Sequence, residues 1–323
     1  MSEYSDNKNE QQLLPDFAED FLIYMETIAG KSQNTVKEYR YDLLMFFGFM
    51  AEKKGRKNAE DFTREDLKSI ELTDLYAFLN YMNRERGDKA PTRARKVACL
   101  RSFFKYAQTK AGLIEVNPAA ELDSPKITKT LPRYLELEEC HNLLNVIDGE
   151  HKERDYCMIV LFLNCGMRLS ELVGMNLSDI SGDTLVVTGK GDKERTIYLN
   201  EACMDAIANY LRVRPKITGK DENALFLSKR KRRISTKTVQ YTVKKYITLA
   251  NLDPHKYSTH KLRHTAATLM YAYGDVDIRA LQEILGHTSV ATTEIYTHVN
   301  NARLREAVGK NPLADFKQEN EEE

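Results

Sequence analysis

Residues 114–131 carry no periodic pattern and are punctuated by Asn117-Pro118, Ser124-Pro125 and Leu131-Pro132, while the sequence on either side is rich in helical periodicity. A single helical core cannot run through such a break, and 323 residues exceed what one compact core commonly holds. Two domains are therefore expected, at residues 12–113 and 132–312, with a linker at 114–131 and an acidic tail at 313–323.

Apolar residues recur at helical spacing through the first domain. Phe17, Phe21, Met25 and Ile28 mark one helix, stopped by Gly30, and Ser32 caps a second through Val36, Tyr39, Leu43, Phe47 and Met50. Thr63 with Asp66 opens a third region that Leu75, Phe78, Leu79 and Met82 continue. Pro91 and Thr92 begin a last helix, carrying Val97, Leu100 and Phe104 and ending near Gly112. This domain is expected to be all-α. Opposite the last apolar stripe lie Arg93, Arg95, Lys96, Arg101 and Lys105. Such a face suits a nucleic-acid phosphate backbone, and an ordinary solvated face explains it as well.

The second domain continues as helix over residues 135–147, 156–165 and from Leu169, and then the period changes. Two β-branched runs, 184–188 and 195–199, flank the Gly-rich turn 189–192 and predict a β-hairpin. A helix at 201–213, a short strand at 224–227, a basic run at 229–233 and helices from Thr236, Thr259, Asp277 and Val290 follow. The basic run supplies Lys229, Arg230, Arg232 and Arg233, which suit phosphate contact, a solvated loop or a localisation signal. The fold class is mainly α: an all-α first domain and a mostly helical α/β second domain with a small sheet.

Lysine plus arginine equals aspartate plus glutamate at 48 each, so net charge points to no partner. Cys99, Cys140, Cys157, Cys165 and Cys203 are odd in number and set among apolar neighbours, which suits small hydrophobes in a reducing compartment. No run approaches the ~18 apolar residues of a membrane span, and the polar N-terminus has no signal-like core. A cytoplasmic protein is expected.

Four stretches carry chemistry: GMRLSEL (166–172), TGKGDKER (188–195), HKLRH (260–264) and LGHTSVATTEIYTH (285–298). Each is weak alone. Arg168 and Glu171 make an ordinary helix ion pair. The Gly189 turn lacks the full phosphate-loop pattern. His260 and His264 have the spacing of zinc ligands, but Lys261 stands where a zinc protease needs glutamate. Tyr296 is one of 17 tyrosines, a residue type that is most often half-buried in a core.

In this order and spacing, however, the stretches resemble the active-site boxes of the tyrosine recombinases, the λ integrase family, and come nearest to its Xer-type branch. The resemblance spans nearly the whole chain, since the helical domain is similar to the family's core-binding domain. Cys165 departs from the pattern, standing where threonine is expected. The resemblance implies a site-specific DNA recombinase whose two domains clamp duplex DNA. Tyr296 attacks a phosphodiester and keeps the 3′ end as a phosphotyrosine, so no ATP is needed.

Charge builds on the nonbridging oxygens as that bond breaks, and arginine fits the need because its planar, permanently charged fork bonds two oxygens at once. Arg168 and Arg263 would form that clamp. By the family pattern His287 donates to the same phosphate, His260 serves as acid or base, and Lys190 on the hairpin turn protonates the departing 5′ oxygen. Glu171 would orient its neighbours. No metal and no cofactor are implied, because the arginines supply the charge that paired Mg²⁺ ions bring to many nucleases.

The same resemblance implies a homo- or hetero-tetramer on two DNA sites, with a C-terminal helix near 302–308 docking on a neighbour, and admits a second recombinase or a DNA translocase as partner. Xer-like resolution of chromosome dimers is the expected role. Integration or excision of a mobile element uses the same chemistry, and a non-cleaving DNA-binding protein is the alternative of another class.

Overall fold

The computed structural model describes residues 13–127, 133–188, 194–274, 276–286 and 293. It divides into two compact units, Met1–Lys129 and Thr130–Glu323. In the first unit α1 spans Asp16–Thr27, α2 Gln33–Lys53, α3 Arg64–Lys68, α4 Leu72–Arg84 and α5 Ala90–Thr109. Their starts follow from capping chemistry. The Ser32 hydroxyl accepts from the Thr35 N–H at 3.3 Å, and Thr63 and Asp66 satisfy each other's backbone donors ahead of α3.

Aromatic rings fill the space between these helices. Phe46 meets Phe47 and Phe78 edge-on at 5.2 Å, and Phe103 meets Phe47 at 5.5 Å and Phe104 at 5.2 Å. Ile114, Ala119 and Leu122 belong to the same core. The first part of the expected linker is thus packed structure, and the division between units falls at Lys129–Thr130.

Lys96 corrects another expectation. It shares an inward face of α5 with Leu100, Phe103 and Ala107 at spacings of i+4, i+7 and i+11, which overrides the basic stripe read from the sequence. Its side chain is 2% exposed, with Nζ 3.0 Å from Asp42 Oδ1 and 3.4 Å from Asp88 Oδ2. Lys96 therefore neutralises a buried carboxylate and is unavailable to a phosphate. Arg95 bonds the other Asp42 oxygen at 2.6 Å, Arg93 donates to Asn83 and the Asp88 carbonyl, and Arg101 donates to the Leu122 carbonyl.

In the second unit α6 is Leu137–Asn145, α7 Lys152–Cys165 and α8 Leu169–Gly174; β1 is Ile180–Ser181, β2 Thr184–Thr188 and β3 Glu194–Tyr198. Then come α9 at Glu201–Val213, α10 at Thr236–Leu249, α11 at Thr259–Tyr273 and α12 at Ile278–Leu285. Helix α7 is the spine. It is apolar nearly all round, with Cys157, Met158, Ile159, Leu161 and Phe162 fully buried, and it packs against α9 and α11. The five cysteines are buried free thiols.

The antiparallel sheet has the order β1-β2-β3, adding a short strand to the predicted hairpin, with Leu185 paired to Ile197 and Val187 to Arg195. The strand expected at 224–227 forms only isolated bridges. Arg214 takes the carbonyls that a strand partner would need, donating to those of Glu222, Ala224 and Leu225.

Arg233 is a second correction among the basic residues. It donates to the carbonyls of Val173, Gly174 and Met175 at 2.8–3.0 Å and to Asn176 Oδ1 at 2.6 Å, so it caps the C-terminal end of α8. Lys229, Arg230 and Arg232 remain exposed on a turn closed by the Ser228 N–H donating to the Arg232 carbonyl at 2.8 Å. No helix among the described residues is long and apolar enough to cross a membrane. The helices expected from Val290 and near 302–308 lie outside those residues.

Asp42→Ala would leave the Lys96 ammonium buried beside only the more distant Asp88. Urea unfolding followed by tyrosine fluorescence should show a loss of roughly 3–5 kcal/mol from the first unit.

Candidate active site

The site begins where α7 stops. Gly166 takes φ 57°, a left-handed conformation open to glycine, and a Cβ there would stand 2.9 Å from Leu285 Cδ2. Two residues later Arg168 is the N-cap of α8, and Glu171 supplies the capping acceptor: its Oε2 receives the Arg168 N–H at 2.7 Å. The same carboxylate receives Arg168 Nη1 at 2.6 Å and, from β3, Arg195 Nη2 at 2.9 Å. The Glu171 side chain has no exposed surface. Burial pushes its pKa up, but the Arg168 backbone N–H and then the Arg195 and Arg168 guanidinium groups outweigh that and hold it below the usual carboxylate range.

Arg263 enters from α11. The residue is 4% exposed, with Nη1 on the Gly166 carbonyl at 2.5 Å and Nη2 on the Leu285 carbonyl at 2.6 Å. Arg168 Nη2 donates to the Gly286 carbonyl at 2.7 Å, and Arg195 Nη1 donates to that of Ile284. Three guanidinium groups thus meet three successive carbonyls, 284, 285 and 286, where α12 ends. Such carbonyls lack intrahelical partners and form the negative end of the helix dipole, so they attract cations. Gly286, at φ 61°, completes the approach: a Cβ would lie 2.7 Å from Arg195 Cδ.

His260 lies one turn before Arg263 and faces a cleft of about 690 Å³ that Arg168, Arg263 and, from α10, Thr236 and Gln240 also line. Its Nε2 is 3.1 Å from that of His264, the two rings standing edge to face at 4.5 Å. Desolvation, then the charges of Lys261 and Arg263, lowers the His260 pKa from its ordinary value, which favours the neutral imidazole. Among the described residues no three His, Cys, Asp or Glu side chains gather as a metal site would require.

The structure therefore brings Arg168, His260 and Arg263 to one cleft, with Glu171 buried behind Arg168. Lys190, His287 and Tyr296 lie outside the described residues. Arg195 is the site residue that motif reading passed over. Its signal was the period of two along β3, which sets it on the same face as buried Ile197.

A family model described as the phage integrase family matches residues 133–303, and one for a phage integrase N-terminal SAM-like domain matches residues 18–110. The tyrosine recombinase XerC of Caldanaerobacter subterraneus subsp. tengcongensis is 56% identical over 309 residues, covering 93% of this chain and 88% of that protein. The chain belongs to the tyrosine recombinases of the phage integrase family. This recombinase is of the Xer type, a site-specific DNA recombinase. It is also 37% identical over 293 residues to the tyrosine recombinase XerD of Proteus mirabilis, covering 89% of this chain and 90% of that one. Among solved structures, the XerH site-specific recombinase bound to its difH substrate before cleavage matches with a TM-score of 0.66 at 26% identity, over 85% of this chain and 79% of that one. A λ integrase dimer bound to a COC′ core site shares the fold at a TM-score of 0.66 and 19% identity, over 86% of this recombinase and 96% of that chain.

Glu171→Gln keeps the side chain's shape and removes the charge that two arginines face, an expected loss of about 1.5–3 kcal/mol at pH 7. The folded pKa lies below the unfolded one, so the carboxylate's contribution is complete above ~4.3 and is lost as pH falls through the lower folded value. Urea unfolding of both proteins between pH 3 and pH 7 should show the stability gap widest at neutral pH and closing only below about pH 4.

Proposed function

We propose that this recombinase cuts one DNA strand with Tyr296, holds the 3′ end as a phosphotyrosine and rejoins it to a new 5′ hydroxyl, as a tetramer on two DNA sites. The observation that carries this reading is the convergence of Arg168, Arg263 and His260 on one cleft, with the arginine forks gathered at the turn that leads directly into His287. The phosphate would take the arginine donors now spent on main-chain carbonyls or meet those left over, and each fork can reach two nonbridging oxygens.

In the cleavage step Tyr296 Oη forms the bond to phosphorus as the bond to the 5′ oxygen breaks. Arg168, Arg263 and His287 stabilise the added negative charge, neutral His260 accepts the phenol proton, and Lys190 gives a proton to the 5′ oxygen. Ligation reverses every step, so the phosphodiester energy is conserved. Glu171 orients Arg168 rather than touching the phosphate. Arg93, Arg95, Arg101, Lys229, Arg230 and Arg232 contact flanking phosphates, Arg93, Arg95 and Arg101 only after exchanging their present partners. The enzyme works in the cytoplasm and, by its likeness to proteins named XerC and XerD, resolves chromosome dimers with or without a second recombinase.

Covalent trapping tests this. Wild type and Tyr296→Phe are incubated with sheared host DNA and denatured, and protein-linked fragments are captured and their ends sequenced. Adducts with wild type alone, sharing one end sequence, are expected; a sequence found once per chromosome near the terminus marks dimer resolution, and one at the ends of mobile elements marks their movement. Adducts with Tyr296→Phe would overturn the choice of nucleophile.

Arg168→Lys and Arg263→Lys should each retain DNA binding in a filter assay while forming adducts about 10²–10³-fold more slowly, because one lysine cannot replace a two-pronged donor at the transition state.

A further inference from the structure

Arg195 has no place in the chemistry described above, yet its guanidinium joins Glu171 to the end of α12. Its side chain is 12% exposed and does not line the cleft that Arg168, His260 and Arg263 share. One prong of its fork lies on Glu171, the other on the Ile284 carbonyl, and its Nε is buried with no partner among the described residues. It also sits on β3, paired with Val187 of β2, one pair in from the turn end of the hairpin whose connection carries Lys190. Arg195 therefore links three parts of the site: its guanidinium meets the Glu171–Arg168 pair and the end of α12 just before His287, and its backbone belongs to the hairpin.

We propose that Arg195 is a positioning residue that fixes Arg168, through Glu171, in register with the α12 turn and the Lys190 hairpin. The proposal rests on the reading of Arg168 as a phosphate clamp. Removing Arg195 leaves Glu171 held by Arg168 alone, through its backbone N–H and Nη1, so the side-chain tie from that pair to β3 is lost. It also releases one of the three carbonyls that tie α12 to the clamp. Lysine restores the charge but reaches one acceptor at a time, since its ammonium is a point charge where arginine has a fork.

The test uses the full chain and a nicked duplex bearing the end sequence recovered by trapping, with adduct formation timed at saturating protein and DNA affinity measured separately. Arg195→Met should slow adduct formation roughly 10- to 100-fold, the worth of a hydrogen bond to a charged group, and Arg195→Lys should fall between it and wild type. DNA affinity should stay within about twofold, since the loss belongs to the transition state. The acid limb of the rate profile should move to higher pH in Arg195→Met, because the carboxylate of Glu171 loses a cation. Adding Glu171→Gln to Arg195→Met should cost little more, as expected of residues acting through one another.

Equal rates for wild type and both variants would overturn the role of Arg195 while leaving the clamp intact. An equal fall in DNA affinity, or additive effects with Glu171→Gln, would reduce Arg195 to a folding residue and overturn the proposal. Absence of adducts from wild type itself would bring down the clamp reading, and this proposal with it.

Discussion

Burying the Glu171 carboxylate costs several kcal/mol unless cations face it, and Arg168 and Arg195 do so from different elements. The pairing decides more than local stability. Because one oxygen also caps α8, the helix start, the Arg168 guanidinium and the sheet edge share a single anchor, and none can shift without the others. Three arginines against one carboxylate leave an excess of positive charge. The free carbonyls of α12 offset part of that excess without supplying a formal negative charge, so the cleft stays attractive to an anion.

This arrangement also explains why α12 sits where it does. A helix C-terminus is ordinarily satisfied by water or by a glycine cap, and α12 has the glycine but gives its last carbonyls to guanidinium groups. Gly166 and Gly286 allow the approach, since a methyl group at either would meet Leu285 or Arg195. The spine helix α7 ends at the first of these glycines, so the site is built where the second unit's most buried element stops.

Much of this was legible in the sequence. Ser32, Thr63 with Asp66, and Pro91 marked helix starts because capping is local chemistry, and the hairpin showed itself through a change of period. What escaped was long-range. The carbonyls of Ala224 and Leu225 are taken by Arg214, ten and eleven residues away, and β1 is two residues long, too short to show a period. Lys96 and Arg233 read as nucleic-acid contacts because charge type is visible in a sequence and its partner is not; Asp42 lies 54 residues from Lys96, and the α8 carbonyls nearly 60 from Arg233. Arg168, His260 and Arg263 were singled out through motifs, whereas the bond from Arg195 to Glu171 spans 24 residues and two elements.

The acceptors at 284, 285 and 286 are all main-chain oxygens. A backbone carbonyl does not titrate, and it survives replacement of the side chain on its own residue. For Ile284 the acceptor role sets no requirement on side-chain identity; Leu285 is constrained by packing instead, being fully buried against Ala267 and Leu281. The opposite holds at 166 and 286, where the absence of a side chain is the requirement. Aligned relatives would therefore understate position 284 as part of the site, and the glycines would stand out for a reason that concerns space alone. Ranking these positions by side-chain identity would miss the part of the hydrogen bonding around the arginines that is written in the course of the backbone.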